Sequence, residues 1–176
     1  AIADQVERPR VLAIACGHLR EAQKSKAVAE GRIGEFIGLD QDRVSLALLG
    51  QEQSAFGVKP VHGSVRSILK GETTFQNFDF VYSTGLYDYL SQPIATSLTT
   101  NLFGMLKPGG QLLVANFLTG VPDVGYMETF MGWPLIYRTD DEMADVASGI
   151  DRAQIADCRT FRDPLQNIVF LELHKQ

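Results

Sequence analysis

Residues 11–22 read Val-Leu-Ala-Ile-Ala-Cys-Gly-His-Leu-Arg-Glu-Ala, and the fold turns on how this stretch is read. Val11 to Cys16 is a continuous apolar run, the pattern of a strand buried on both faces. Gly17 then supplies a tight bend. From Leu19 to Glu30 the chain is helix-permissive, and Gly31 stands where a C-cap belongs. Strand, glycine, helix is the layout of a nucleotide-binding turn. Such turns usually carry two or three glycines, and here there is one.

Working outward, the same alternation continues. Ile33 to Leu39 predicts a second strand ended by Asp40, and Asp42 to Leu49 a short helix that stops at Gly50. Val58 to His62 is a third strand, after which Ser64 opens a short helix through Leu69. Phe78 to Ser83, rich in aromatic and β-branched residues, is a fourth. Pro93 suits a first helical turn, and Ile94, Leu98, Leu102 and Met105 follow at helical spacing. Lys107-Pro108-Gly109-Gly110 breaks that helix, and Gln111 to Phe117 is a fifth strand. Thr139 and Glu142 have capping-box spacing, with Met143, Val146, Ala147 and Ile150 on one face and Gly149 at its end. Ile155 to Phe161 and Ile168 to Leu173 are two strands whose joint is too short for a helical crossover, so they run antiparallel. Five β–α units and a terminal hairpin predict an α/β, doubly wound sheet with helices on both faces and a reversed last strand.

The bulk numbers narrow the function. The chain has 176 residues, the size of one domain with a substantial core. A formal net charge of -5 argues against a broad polyanion-binding face, and no Lys/Arg-rich run suggests a basic groove, so no nucleic acid is expected. Two cysteines, Cys16 and Cys158, are too few for a disulfide framework and lack metal-ligand spacing. Both sit in apolar runs and are expected as buried thiols. No apolar run approaches the ~20 residues of a membrane span, and the N-terminus is no signal peptide. The expected compartment is the cytoplasm. The chain reads as one domain over 1–176. It starts at Ala with its first strand about ten residues in, which points to the C-terminal part of a longer protein with an upstream domain.

Four places carry a family resemblance: VLAIACG at the first strand, GLD at Gly38-Leu39-Asp40, FDFVYS at the fourth strand, and LKPGGQLLVANF from Leu106 to Phe117. Together they resemble the class I S-adenosylmethionine-dependent methyltransferases. The resemblance covers nearly the whole chain and implies a Rossmann-like fold of seven strands, the last antiparallel. A narrower likeness rests on GHLREA, GLYDYL and ANF…METFMGWPLIYR. These are similar to a bacterial subgroup that forms fatty-acid methyl esters, which implies the carboxylate of a hydroxylated acyl chain as acceptor. The family usually has an acidic residue where Ala13 stands and glycines where Ala15 and Leu19 stand.

S-adenosylmethionine has no pyrophosphate, so one glycine is enough for its cradle. Ala15, Cys16 and Gly17 offer backbone to it, and the N–H groups near Leu19 face its carboxylate. His18 and Arg20 are cations for that carboxylate, or solvated charges at a helix start. Asp40, 23 positions after Gly17, is placed to accept ribose hydroxyls, with Gln41 beside it. An NAD enzyme uses the same device, and a turn aspartate would look alike. Ser64 and Val65 fall where the resemblance implies an adenine partner; Ser64 equally suits a helix N-cap. Ser83, Thr84 and Gly85 leave the fourth strand beside the sulfonium. Tyr87 or Tyr89 could face the positive sulfur, or simply pack. Asn116 and Phe117 end the fifth strand at the same crevice. Met127, Trp133 and Tyr137 belong to a methionine- and aromatic-rich stretch that would line an apolar acceptor pocket, although at least half of that stretch should be ordinary core. Arg138 could hold a substrate carboxylate by a bidentate pair. The expected catalytic residues are therefore His18, Tyr87 and Arg138, with His18 the base if the acceptor is a hydroxyl or amine. No metal site is expected. Two rival readings remain: a non-catalytic domain of the same fold, and an NAD-dependent oxidoreductase, which would lack its G-x-G-x-x-G turn.

Overall fold

In the computed structural model, residues 2–53, 56–122 and 124–176 are described. Seven strands form one sheet: β1 (Arg10–Ile14), β2 (Glu35–Asp40), β3 (Val58–His62), β4 (Phe78–Ser83), β5 (Leu106–Phe117), β6 (Ile155–Arg162) and β7 (Ile168–Lys175). Their order is β3-β2-β1-β4-β5-β7-β6. The first five are parallel, and β7 runs antiparallel to both β5 and β6. This is the predicted seven-stranded, Rossmann-like arrangement with its reversed final strand. The order reverses between β1 and β4, which opens a crevice at the carboxyl ends of those strands.

Two cores flank the sheet. On one face α5 (Val65–Leu69), α6 (Gln92–Gly104) and α8 (Asp140–Asp145) bury Ile68, Leu98, Leu102 and Met143 against Leu12, Val81, Leu112 and Leu171. On the other face α2 (Arg20–Gln23), α3 (Lys26–Ala29) and α4 (Arg43–Glu52) cover β1 to β3, burying Ala22, Val28 and Leu49, while Gln5, ahead of β1, reaches Gln111 of β5 at 3.3 Å. A single turn, α1 (Ile2–Gln5), precedes β1, and α7 (Val124–Thr129) lies between β5 and α8. No described helix is long and apolar enough to cross a membrane.

Several predictions of detail are corrected. The helix expected from Leu19 to Glu30 is two separate turns: Leu19 is left-handed, and the Ser25 hydroxyl restarts the helix by accepting the Val28 N–H at 3.4 Å. A serine that caps a new turn competes with continuation of the old one. β5 begins at Leu106 rather than Gln111. Lys107 to Gly110 bulges out of the pairing, because Phe78 pairs with Leu106 while Phe80 already pairs with Gln111. Gly110 is required there: a Cβ would lie 2.8 Å from the Phe78 carbonyl oxygen. The helix after Thr139 ends at Asp145, although Val146, Ala147 and Ile150 are buried as expected. Cys158 is exposed, since β6 is an edge strand with only β7 beside it.

Candidate functional site

At the mouth between β1 and β2 the backbone takes an unusual path. Ala15, Gly17 and Leu19 all have positive φ, at 52°, 52° and 49°. For Ala15 and Leu19 this costs about 1–2 kcal/mol each, so the surroundings must enforce it. They do so from both ends. The Cys16 N–H donates to the Leu39 carbonyl at 3.1 Å, and the Leu19 side chain, 1% exposed, anchors in the core beneath α2. Leu19 therefore points away from the crevice. Asp40 completes the turn: one carboxylate oxygen accepts the Gly17 N–H and the other the Asp42 N–H, each at 2.8 Å. The space above Gly17 is open, with nothing within 4 Å of where a Cβ would stand. The free space over Gly17 thus lies beside the Asp40 carboxylate, which is itself 9% exposed.

The neighbouring side chains divide. The Cys16 thiol is turned into the sheet, where Gly38 makes room for it; a Cβ on Gly38 would lie 3.0 Å from its sulfur. Burial, and then the charge of Asp40, push that thiol up to about 12, so Cys16 offers the cleft only its backbone. His18 is half-buried, with its Nδ1 in a loose 3.5 Å contact with the exposed Arg20 guanidinium. It lies on the Asp42 side: Ser45 and the N–H groups of Val44 and Ser45 hold the Asp42 carboxyl below its usual range, with a smaller contribution from His18. Gln41 is exposed beside them.

Ser64 is a helix cap. Its hydroxyl accepts the Ser67 N–H at 3.1 Å, and the Ser67 hydroxyl accepts the Ser64 N–H in return. Val65 packs partly into the core. After β4, Ser83 is fully buried and its hydroxyl donates to the Ile14 carbonyl at 3.0 Å, stapling β4 to β1. It is not available to a ligand. Thr84 and Gly85 are exposed at the crevice, Gly85 with φ 88° and open space above it.

Between β4 and β5 the structure overturns three expected roles. Arg138 is 2% exposed, and its donors are committed to the protein. Nε donates to Gln92 Oε1 at 2.8 Å, NH1 to the Tyr87 carbonyl at 2.8 Å and to Asn116 Oδ1, and NH2 to the Leu90 carbonyl at 2.6 Å. Four of five N–H groups are consumed, so no bidentate face remains for a substrate carboxylate. Asn116 is fully buried, and its amide nitrogen donates to the Phe117 and Ile136 carbonyls. Tyr87 is fully buried with its hydroxyl 2.8 Å from Thr99 Oγ1. Burial raises its pKa, so it is a core residue and not a phenolate source. Arg138, Asn116 and Tyr87 are parts of one buried hydrogen-bond network, as such groups must be.

Asp88 belongs to the same network, a role the sequence did not reveal. It is 3% exposed, accepts the Phe117 N–H at 2.6 Å through its carboxylate, and accepts the Ile136 N–H at 2.7 Å through its carbonyl. Burial raises its pKa, although the Phe117 N–H works against that. Around this sealed centre lies an aromatic rim. Phe117 meets Trp133 edge to face at 6.1 Å, and the Trp133 indole N–H donates to the hydroxyl of Tyr89, which is 54% exposed. Tyr126 and Phe130 stack at 5.6 Å on the outer side of α7, while Met127 is buried on its inner side. Tyr137 is half-buried, its hydroxyl enclosed with no partner among the described residues. The expected acceptor residues thus split: Tyr89, Phe117 and Trp133 come together at a surface, whereas Met127 stands behind it. Among the described residues no cluster of three or more His, Cys, Asp or Glu is placed to hold a metal.

No protein-family model matches the sequence, and no curated protein matches it. Solved structures do. The chain is similar to a Bordetella parapertussis protein described as a possible exported protein, at 19% identity over 96% of this chain and 62% of that one, with a TM-score of 0.76. It is similar to the S-adenosylmethionine-dependent methyltransferase SibL in its apo form, at 14% identity over 98% of this chain and 51% of that one, TM-score 0.74. It is also similar to magnesium protoporphyrin IX methyltransferase from Synechocystis PCC 6803 with bound SAH, at 12% identity over 99% of this chain and 78% of that one, TM-score 0.67. The first two of these proteins are much longer than this chain. At such identities the likeness establishes the fold: the Rossmann-like sheet found in S-adenosylmethionine-dependent methyltransferases.

Proposed function

We propose that this chain is the cofactor-binding unit of an S-adenosylmethionine-dependent methyltransferase acting on a small molecule. One observation carries the reading: the Asp40 carboxylate is clamped against the Gly17 turn, at the strand-order reversal, with open space above the glycine. In this reading the backbone at Ala15 and Gly17, with Arg20 and His18, holds the amino-acid end of the cofactor. Asp40 and Gln41 take the ribose, the Ser64-Val65 turn borders the adenine, and Thr84 and Gly85 lie beside the sulfonium. The residues fit a ligand without phosphates. A pyrophosphate seeks several amides at a helix N-terminus, and α2 is a single turn, which disfavours the NAD reading.

S-adenosylmethionine supplies a methyl group already activated by its sulfonium. The protein's part is then alignment and exclusion of water. We place the acceptor against the rim of Tyr89, Phe117 and Trp133. Tyr87 and Arg138 are not free to act there, and His18 sits at the other mouth, beside Asp42. A nucleophile that is already ionised suits such a site, because it needs no general base. The carboxylate of a hydroxylated fatty acid is an acceptor of that kind, and its chain would lie on the exposed aromatic residues.

Calorimetry with S-adenosylhomocysteine tests the cofactor half of the proposal. We expect micromolar binding, weakened roughly 10–100-fold in Asp40→Ala, the loss of hydrogen bonds to a charged group. Absence of binding by the folded protein would leave the chain a scaffold of this fold.

A further inference from the structure

Strand β4 stops before its neighbour does. Its pairing with β5 ends at Ser83 opposite Val114, whereas β5 runs on to Phe117. Past that point β5 has no strand on its β4 side, and an enclosed backbone N–H there would lack an acceptor. Asp88 stands in for the missing strand. Its carboxylate accepts the Phe117 N–H at 2.6 Å, and its carbonyl accepts the Ile136 N–H at 2.7 Å, where the chain returns to the sheet. Its successor is Tyr89, whose hydroxyl accepts the Trp133 indole N–H, and Trp133 in turn meets the Phe117 ring edge to face at 6.1 Å. Phe117 lies 29 residues from Asp88, and Trp133 lies 44 from Tyr89, so no local turn geometry sets their register. All three aromatic residues of the rim are thus tied to Asp88, by a peptide bond, a side-chain hydrogen bond and a main-chain hydrogen bond.

We infer that Asp88 is a positioning residue for the methyl acceptor, fixing the rim of Tyr89, Phe117 and Trp133 relative to Thr84 and Gly85. It touches neither the acceptor nor the cofactor, being 3% exposed. Its effect passes through the aromatic residues it holds. Thr84 and Gly85 precede it on the same short segment after β4, so whatever Asp88 fastens is set with respect to the place proposed for the sulfonium. In-line displacement tolerates little misalignment, and a shift of about 1 Å can cost on the order of 100-fold in rate. The Arg138 guanidinium differs in kind. It bonds Gln92, Asn116 and the Tyr87 and Leu90 carbonyls, and none of the three aromatic residues, so it reaches the rim only through other groups. The link to catalysis rests on the proposed methyl transfer; the tie between Asp88 and the rim does not.

Trp133 is the only tryptophan in the sequence, so its emission reads the rim directly and without a ligand. Asp88→Leu keeps the branched shape but offers no acceptor to the Phe117 N–H. It should shift Trp133 emission to the red and roughly double its quenching by acrylamide, with an unchanged circular dichroism spectrum, because an indole held less firmly by its partners becomes wetter. Asp88→Asn retains an Oδ1 for that N–H and should restore the wild-type spectrum. With S-adenosylmethionine and hydroxydodecanoate as the probe acceptor, kcat should fall about 100-fold in Asp88→Leu and recover in Asp88→Asn. Affinity for S-adenosylhomocysteine should stay unchanged in both, since Gly17 and Asp40 are untouched. Should Asp88→Leu fail to fold, hydrogen exchange of the wild type decides: the Phe117 and Ile136 amides should exchange about 100-fold more slowly than those of exposed loop residues. The inference is overturned if Trp133 is unchanged in a folded Asp88→Leu, if Asp88→Asn does not restore what Asp88→Leu loses, or if either amide exchanges at the loop rate. A wild type that binds no S-adenosylhomocysteine or methylates no carboxylate sinks the methyl-transfer reading, whereas the Trp133 spectra still decide whether Asp88 sets the rim.

Discussion

The two mouths of the crevice are built on opposite plans. Between β1 and β2 the work is done by backbone: three left-handed residues, one of them glycine, and a carboxylate whose two bonds are both to N–H groups. What remains is open and polar. Between β4 and β5 the work is done by side chains: Arg138, Asn116, Asp88 and Tyr87 are bonded to one another and to the surrounding backbone, and beside them the enclosed Tyr137 hydroxyl has no partner among the described residues. In the proposed function the first mouth receives the cofactor. The second is a sealed joint with an apolar rim, and in the proposed function selectivity for an acceptor resides in that rim.

The largest expected effect would break the second mouth. Arg138→Met leaves the Tyr87 and Leu90 carbonyls and Asn116 Oδ1 buried without their donor. Denaturant unfolding should show a loss of about 3–5 kcal/mol, the cost of dismantling a buried charged network. A loss below about 1 kcal/mol would mean the guanidinium is a spectator. Gly17→Ala probes the first mouth and should cost less stability, about 1–2 kcal/mol, because the strain is one residue's positive φ. It should also loosen S-adenosylhomocysteine, since the new methyl enters the open space; melting curves with and without that ligand read both effects. Smallest is Glu35→Gln, a control far from either mouth. Lys59, then Arg10, hold the Glu35 carboxyl below its usual range. A depressed folded pKa stabilises above the unfolded value of ~4.3 and is lost as pH falls through the folded one. The difference between wild type and variant should be about 1 kcal/mol at neutral pH and vanish in acid, as pH-dependent unfolding would show.

This contrast also explains what the sequence could disclose. The first mouth is local: Gly17 and Asp40 each end a strand, and period and punctuation locate both. β3 and β4 were legible for the same reason, with residues Val58–His62 and Phe78–Ser83 as read. The second mouth is assembled from distant pieces. Arg138 reaches Gln92, Leu90, Tyr87 and Asn116, up to 51 positions away, and no local pattern marks an arginine whose partners are mostly carbonyls. An exposed charge before the Thr139 capping box and a buried one look alike in one dimension. Asp88 was hidden similarly, since its partner is the backbone of Phe117. The broken helix at Ser25 and the bulge at Lys107 to Gly110 were missed because each depends on competition between a local hydrogen bond and a regular element, which periodicity does not weigh.

The closure of one loop has an evolutionary consequence. The Arg138 N–H donates to the Phe117 carbonyl at 3.0 Å, and Leu118 and Arg138 form an isolated bridge. Residues 119–122 and 124–137, with Tyr126, Phe130 and Trp133, thus lie between two chain segments that meet at one stem on the sheet. Beyond the stem it is held by a few contacts of its own, Trp133 on Tyr89 and the buried Met127 among them, and such a segment can be lengthened, shortened or exchanged while the strands keep their register. Under the proposed function, descendants of such a chain could acquire new acceptors by inheriting a different loop, with the Gly17–Asp40 half left untouched.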